Sequence, residues 1–235
     1  MKLQVVVSSE HDSNAVPEAY QSLFQHAGAD LESHRGWDQG SHEIAEYLKE
    51  ILKVKPFVYP YTRLLIEPNR SLDNGDLFSE YSRKLSAGER DALIRTFYLP
   101  HRDQVESEIA RLSIGGPVLH LGVHTFTPHW KGQKREVDIG ILFDPGRQYE
   151  SQFAYQLMSS LSGKGFTVRE NEPYLGIADG FTTYLRGRFD DEKYMGFELE
   201  VSQGLLNRLD QVNTILGEGL LKAIGEFEDQ VLLQR

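Results

Sequence analysis

The sequence predicts an α/β protein in which one sheet is covered by helices on both faces. Short runs of apolar and β-branched residues alternate along the chain with segments whose apolar residues recur at helical spacing. This alternation is typical of strands buried between two layers of helices. No internal repeat, low-complexity segment or linker interrupts the pattern, so we expect a single three-layer domain over residues 1–235.

The first third of the chain is predicted to contain three strands and two helices. A β-branched run followed by polar residues indicates the first buried strand. Pro17 suits the first turn of a helix, and the second helix carries Ile44, Leu48 and Ile51 on one face. In chain order we expect a strand at 3–7, helices at 17–27 and 39–53, and strands at 57–59 and 64–66.

The rest of the chain begins with a long irregular segment and then resumes the alternation. Turn-forming residues at 68–75 begin that segment, which continues to about residue 86, and the glycines and proline at 115–117 end a later helix. Gly217 and Gly219 should weaken the last element. The predicted elements are helices 87–97 and 101–112, strands 118–123 and 137–143, helix 149–162, strands 166–170 and 194–201, and one or two helices over 207–231.

Composition excludes several classes of function. The formal net charge of −10 argues against a nucleic-acid partner, which requires a basic surface. The absence of cysteine removes disulfides, thiolate metal sites and cysteine nucleophiles, so any metal must be held by His, Asp or Glu. No apolar stretch approaches the roughly 20 residues that span a bilayer. We therefore expect a cytoplasmic protein with a small-molecule partner and no membrane contact.

Two histidines follow predicted strands directly. His11 comes after the first strand and His124 after a later one, and in α/β sheets ligands bind beyond the carboxyl ends of the strands. Alone, each histidine is more often a hydrogen-bonded polar residue than a ligand. With a carboxylate from Glu10, Asp12 or Asp38, the pair would form a zinc site that leaves one coordination position for water.

The segment 33–38, Ser-His-Arg-Gly-Trp-Asp, is unusually rich in functional side chains for a connection. Asp38 precedes the helix predicted at 39–53, so its alternative role is that of a helix N-cap. Glu10 could be a ligand or could orient His11 from outside the ligand set.

A late strand carries two glutamates on one face. Alternation places Phe197, Leu199 and Val201 on one side and Glu198 with Glu200 on the other. One interpretation is an edge strand with a wet face. The other is that Glu200, near the carboxyl end, is a general base.

Taken together, the motifs resemble those of the N-formylglutamate amidohydrolase family, in the family's order over about residues 5–205. They are Ser9-Glu10-His11-Asp12-Ser13-Asn14-Ala15-Val16-Pro17, His34-Arg35-Gly36-Trp37-Asp38-Gln39-Gly40, Thr62-Arg63-Leu64-Leu65-Ile66-Glu67-Pro68-Asn69-Arg70, His124-Thr125-Phe126-Thr127-Pro128, Arg135 before Ile139-Gly140-Ile141-Leu142, Asn171-Glu172-Pro173-Tyr174, and Glu198-Leu199-Glu200-Val201. One departure concerns the last motif, which in the family usually continues with an arginine and later an acid, where this chain has Ser202 and Gly204.

The resemblance implies a mixed, mostly parallel sheet between helices, as in phosphorylase/hydrolase-like folds, zinc carboxypeptidases and aspartoacylase-like amidohydrolases. It implies one divalent metal, zinc, at the strand ends, and hydrolysis of N-formyl-L-glutamate. Within that interpretation we expect the following roles: zinc ligands His11, Asp38 and His124, with Glu10 or His34 as replacements; general base Glu200; oxyanion stabiliser Arg135; substrate-binding residues Arg63, Arg70, Asn171, Tyr174 and Asn14.

Two alternatives remain open at this stage. The same chemistry could act on another N-acyl amino acid or a small peptide, because Ser202 and Gly204 depart from the family's pattern. A non-catalytic binding protein for an acidic metabolite could use the same scaffold. The sequence leaves the oligomeric state open.

Overall fold

Six strands form one mixed sheet at the centre of the protein, in the order β2-β1-β3-β8-β6-β7. Neighbouring strands run parallel except β6, which is antiparallel to β8. The computed structural model describes residues 2–232, so Met1 and 233–235 of the predicted domain lie outside the described part. The strands are β1 Gln4–Ser9, β2 Phe57–Val58, β3 Val118–Phe126, β6 Ile139–Leu142, β7 Val168–Glu170 and β8 Tyr194–Ser202, and a separate hairpin pairs β4 His129–Trp130 with β5 Gln133–Lys134.

Helices cover both faces of this sheet, as predicted. Helices α2, α5 and α7 pack on the face that carries Val7, Leu121 and Leu199. Helices α4 and α6 pack on the other face, around Val6 and Tyr194. The helices are α1 Gly28–Leu31, α2 Ser41–Leu52, α3 Ala87–Leu93, α4 Leu99–Leu112, α5 Gln148–Leu161, α6 Phe181–Arg186 and α7 Leu209–Phe227, with 3-10 segments at Glu18–Phe24 and Gln203–Arg208 and π-helical turns at Ile94–Tyr98 and Glu228–Leu232.

The predicted strand at 64–66 is wrong. Leu64, Leu65 and Ile66 are buried, but they lie in a turn of the long loop before α3. They pack in a separate apolar cluster with Tyr59 and Leu93. A short apolar run gives the same signal whether a sheet or a folded loop buries it.

The segment after Pro17 forms a 3-10 helix rather than the start of a longer α-helix. At the other end of the chain, α7 continues through Gly217 and Gly219. A β-carbon at residue 217 would lie 2.7 Å from Ile51 Cδ1, and one at residue 219 would lie 2.6 Å from Leu161 Cδ2. These glycines therefore allow α7 to approach its neighbours closely, which offsets their poor helix propensity.

No helix within residues 2–232 combines the length and the apolar character needed to cross a bilayer.

Candidate metal centre and active site

The ends of β1 and β3 bring two histidines and one aspartate together. β1 and β3 are neighbouring parallel strands, so His11, just beyond β1, and His124, near the carboxyl end of β3, lie at the same edge of the sheet. His11 Nδ1 lies 3.1 Å from His124 Nδ1, and each of these nitrogens lies 3.1 Å from Asp38 Oδ2. All three residues are buried.

This geometry fits a divalent cation. Tetrahedral zinc with N and O ligands at about 2.0–2.1 Å separates its ligand atoms by about 3.3 Å. Three groups that could hold a metal converge here, each through one ligand atom. His11, Asp38 and His124 can thus supply three of four coordination positions and leave one open.

Asp38 does not cap α2 with its side chain. The residue before that helix is Gly40, at φ 93°, and the Asp38 main-chain carbonyl accepts hydrogen bonds from Ser41 N and Oγ. The carboxylate is turned to the histidines and also accepts from Thr125 N. Burial raises the pKa of this carboxyl, but the charge of His11 and hydrogen bonds with His11 and His124 hold it well below its usual range.

Each histidine meets a second carboxylate with its other ring nitrogen. His11 Nε2 lies 2.6 Å from Glu67 Oε1, and His124 Nε2 lies 3.3 Å from Glu10 Oε2. A carboxylate on the far nitrogen keeps the proton there and leaves the near nitrogen free to bind a metal. Glu10 therefore contacts His124, whereas the sequence had suggested that it orients His11.

Glu200 lies beside this group on the neighbouring strand. The parallel register pairs His124 with Glu200, and the antiparallel register pairs Glu200 with Gly140. Its side chain is buried, and within the described residues Glu200 Oε2 has no hydrogen-bond partner. Burial, together with the nearby negative charge of Asp38, raises the pKa of Glu200 to about 8. Because β8 is a central strand, its two glutamates do not form the wet face of an edge strand.

A cavity of about 590 Å³ opens onto these residues. Its wall includes both histidines, Asp38 and Glu200. The other lining residues include Arg35, Arg63, Arg70, Phe126, Asp179 and Glu198, and the exposed side chains of Trp130, Tyr174 and Leu175 lie at the mouth of the cavity.

The predicted arginines are placed differently from one another. Arg63 lines the cavity but is already engaged, because its Nε donates to Glu67 Oε2 at 2.6 Å and its NH1 lies 3.3 Å from Asp38 Oδ1. Arg70 lines the cavity, and among residues 2–232 it donates to the carbonyls of Asn69 and Asp179 but to no carboxylate.

Arg135 contacts Tyr174 and is not among the residues that line the cavity. It donates to Tyr174 Oη at 3.2 Å. Asn171 Oδ1 accepts from the main chain of Phe143 and Gly176, so it shapes the loop that carries Tyr174. His34 lies at the mouth, outside the metal group, and Asn14 is not among the lining residues.

Glu67 was missed as a site residue. It is the acid that follows the buried run 64–66, and its two oxygens meet His11 and Arg63. Glu67 belongs to the motif at residues 62–70, and that position could have identified it as a candidate site residue.

Comparisons with known proteins identify the family and the fold of this chain. The family model for N-formylglutamate amidohydrolase matches residues 3–207. The fold is similar to that of a crystallised gene product from Agrobacterium tumefaciens, with 28% identity and a TM-score of 0.84 over 97% of this chain and 92% of that one. It is also similar to N-formylglutamate amidohydrolase from Ralstonia eutropha JMP134, with 18% identity and a TM-score of 0.73 over 98% and 96% of the two chains. None of the curated proteins matches this chain. The family match over most of the chain shows that this protein belongs to the N-formylglutamate amidohydrolase family.

Proposed function

We propose that the protein is a zinc-dependent amidohydrolase that cleaves N-formyl-L-glutamate, or a close N-acyl amino acid, to the amino acid and the carboxylic acid. The observation that carries this proposal is the convergence of three ligand atoms, from His11, Asp38 and His124, beside the buried carboxyl of Glu200. The family supplies the amide chemistry. From the family alone, we also propose that the protein is cytoplasmic and that it acts in histidine degradation.

The donor set supports zinc as the ion. Two imidazoles and one carboxylate with an open position are typical of catalytic zinc sites. When bound, such an ion polarises the amide carbonyl and makes a water nucleophilic at neutral pH. The carboxylates of Glu67 and Glu10 keep both histidines in the tautomer that such a site needs.

Glu200 is the proposed general base. Its carboxylate takes a proton from the attacking water and returns it to the amine as the C–N bond breaks. The unpaired Oε2 is available for that proton. Burial raises the pKa of Glu200 to about 8, which brings it towards the pH at which both transfers are efficient.

The substrate is positioned by the surrounding side chains. Arg70 has donors left over to bind a carboxylate. We assign Arg63 to holding Glu67 and Asp38 in place, since both already bind it. Arg135 reaches the cavity through Tyr174 Oη, and that hydroxyl is the group we propose to face the developing oxyanion.

Metal analysis and an amine-release assay test the proposal together. We expect about one zinc per chain after reconstitution, and release of free amine from N-formyl-L-glutamate or another N-formyl amino acid that a chelator abolishes. A protein that binds no zinc and releases no amine from any N-acyl amino acid would be better described as a binding protein for an acidic metabolite.

A further inference from the structure

Helix α4 carries a histidine at a position where its pattern calls for an apolar residue. His101, Val105 and Ile109 recur at intervals of four, so they share one side of the helix, and all three are buried. Val105 and Ile109 belong to the apolar cluster on this face of the sheet, together with Val6. A polar side chain in such a stripe requires a partner inside the protein.

The partner of His101 is the carboxylate of Glu10. The Nε2 atom of His101 lies 3.4 Å from Glu10 Oε1, and both side chains are buried. The ring of His101 packs between two aromatic side chains, with its centre 5.5 Å from that of Tyr59 and 6.1 Å from that of Phe181. These contacts fix the ring so that one of its nitrogens faces a carboxylate from which water is largely excluded.

Glu10 connects this histidine to the metal group. Its other oxygen, Oε2, lies 3.3 Å from His124 Nε2. Glu67, which has the corresponding position at the other histidine ligand, is held by Arg63 at 2.6 Å. Among the described residues, the basic side chains within ion-pair distance of Glu10 are His101 and His124 alone. Apart from the ligand itself, His101 is therefore the basic group that can hold the Glu10 carboxylate in place.

We propose that His101 is a positioning residue for the metal centre, and that it acts by holding the Glu10 carboxylate against His124. In that position the carboxylate keeps the proton of His124 on Nε2 and leaves Nδ1 for the metal. Without a donor at residue 101, Glu10 Oε1 would be a buried charged oxygen that lacks this partner, and the carboxylate would be free to turn away from His124. This inference rests on the metal centre of the proposed function but not on its amide chemistry.

The test compares the zinc affinity of variants at residue 101, measured at fixed pH by competition with a chromophoric chelator. His101→Leu fills the space without a donor and should weaken zinc binding about tenfold, the lower end of the cost of losing an outer partner of a metal ligand. His101→Gln has an amide N–H with about the reach of Nε2 and should restore most of the affinity. His101→Asn, whose amide is too short to reach Glu10, replaces the Leu variant in this comparison if that variant does not fold.

Two further measurements separate positioning from a general loss of structure. In the cobalt-loaded proteins, the visible absorption bands follow the geometry of the ligands, so they should shift in His101→Leu and match the wild type in His101→Gln. His120→Leu is the matched control, because His120 is also a buried histidine, but its ring nitrogens meet Ser8 Oγ and Tyr194 Oη rather than a carboxylate. This control should lower the free energy of unfolding and leave the zinc affinity unchanged.

The outcomes separate this inference from the proposed function. Wild-type zinc affinity in His101→Leu, or an equal loss of affinity in His120→Leu, overturns the inference and leaves the hydrolase intact. Zinc binding that depends on residue 101 as expected, in a protein that releases no amine, supports the inference and contradicts the hydrolase. A wild-type protein that binds neither zinc nor cobalt contradicts the metal centre and this inference with it.

Discussion

At the scale of single residues, Glu200 differs from Asp38 and Glu67 because no cation among the described residues lies within ion-pair distance of it. Glu67 is bound by Arg63, and Asp38 meets two histidines. Asp38 and Glu67 both have pKa values lowered by these partners despite burial, whereas burial raises that of Glu200. A carboxyl with a lowered pKa stays ionised and suits a metal ligand, whereas a carboxyl with a raised pKa suits a group that carries a proton.

Glu200→Gln should lower kcat by roughly 10²–10⁴-fold, because an amide cannot carry the proton between water and amine. Zinc content should stay at the wild-type level, since Glu200 is not one of the three converging groups. Steady-state kinetics and elemental analysis of the same sample check this. Glu170→Gln on β7 is the control, because Glu170 is exposed. Full activity of the Glu200 variant would rule out its role as the base.

Metal binding should release protons. Burial lowers the pKa of His124, but hydrogen bonds with Asp38 and Glu10 raise it well above its ordinary value, which favours a proton on this imidazole before the metal binds. A metal ion must displace that proton, and the affinity for zinc should fall about tenfold for each pH unit of acidification per proton displaced. Calorimetry in two buffers of different ionisation enthalpy measures the protons released. An observed heat independent of the buffer would contradict this prediction.

At the scale of elements, β6 controls the space around Glu200. Gly140 faces Glu200 across the antiparallel pair, and a β-carbon on residue 140 would lie 2.0 Å from Glu172 O and 3.2 Å from Glu200 Cβ. The main-chain oxygen cannot move aside as the end of a flexible side chain could. The loop after β7 can therefore pack against β6 only if residue 140 is glycine.

Gly140→Ala should lower the free energy of unfolding by about 1–3 kcal/mol, the usual cost of overpacking, and reduce turnover per bound zinc. Urea denaturation and metal-normalised kinetics measure the two effects. Gly122→Ala on β3 is the matched control for stability, because its nearest neighbour would be Phe197 O at an ordinary 3.5 Å. Equal unfolding midpoints for the two variants would show that the close approach at Gly140 is unimportant.

The longer elements and the short strands β2 and β7 were predictable, whereas other short elements were not. β1, β3 and β8 have apolar runs long enough to show their period, and α2 and α5 show one apolar face. The hairpin β4–β5 and the six-residue helix α6 are too short to show a periodic pattern, so neither was predicted. The hairpin contributes Trp130 to the cavity wall, and loops supply much of the rest of that wall.

For the site, residues at strand ends were predictable from topology. His11, His124 and Glu200 each lie within two residues of the carboxyl end of a strand, and parallel neighbours bring such ends together. Glu67 and Arg63 come from a loop whose path no local pattern specifies. The ion pairs that engage Arg63 with Asp38 and Glu67 therefore required the three-dimensional structure.

At the scale of the whole molecule, buried histidines link stability to pH. His120 lies in the centre of the sheet between Ser8 Oγ and Tyr194 Oη, each 2.8 Å from a ring nitrogen. Burial lowers its pKa from 6.5 to about 4. Between those values the unfolded chain binds a proton that the folded protein does not.

The free energy of unfolding should accordingly fall as the pH drops from about 6.5 to about 4, by roughly 3 kcal/mol from His120. Urea midpoints measured across this range test the prediction. His120→Gln cannot titrate, so its stability should depend less steeply on pH than that of the wild type. Parallel curves for the two proteins would show that His120 does not contribute to the acid sensitivity.

The positions of the two tryptophans give the protein built-in optical probes. Trp37 is next to Asp38 in the chain, and its indole Nε1 is buried. Trp130 is about half exposed and lies at the mouth of the cavity beside Arg135. The fluorescence emission of Trp130 should therefore respond to a ligand that binds at the mouth of the cavity, and the emission of Trp37 should respond to metal binding at Asp38. With Trp37→Phe and Trp130→Phe, the arrival of each ligand can be followed by fluorescence in real time, even for compounds that the enzyme never cleaves.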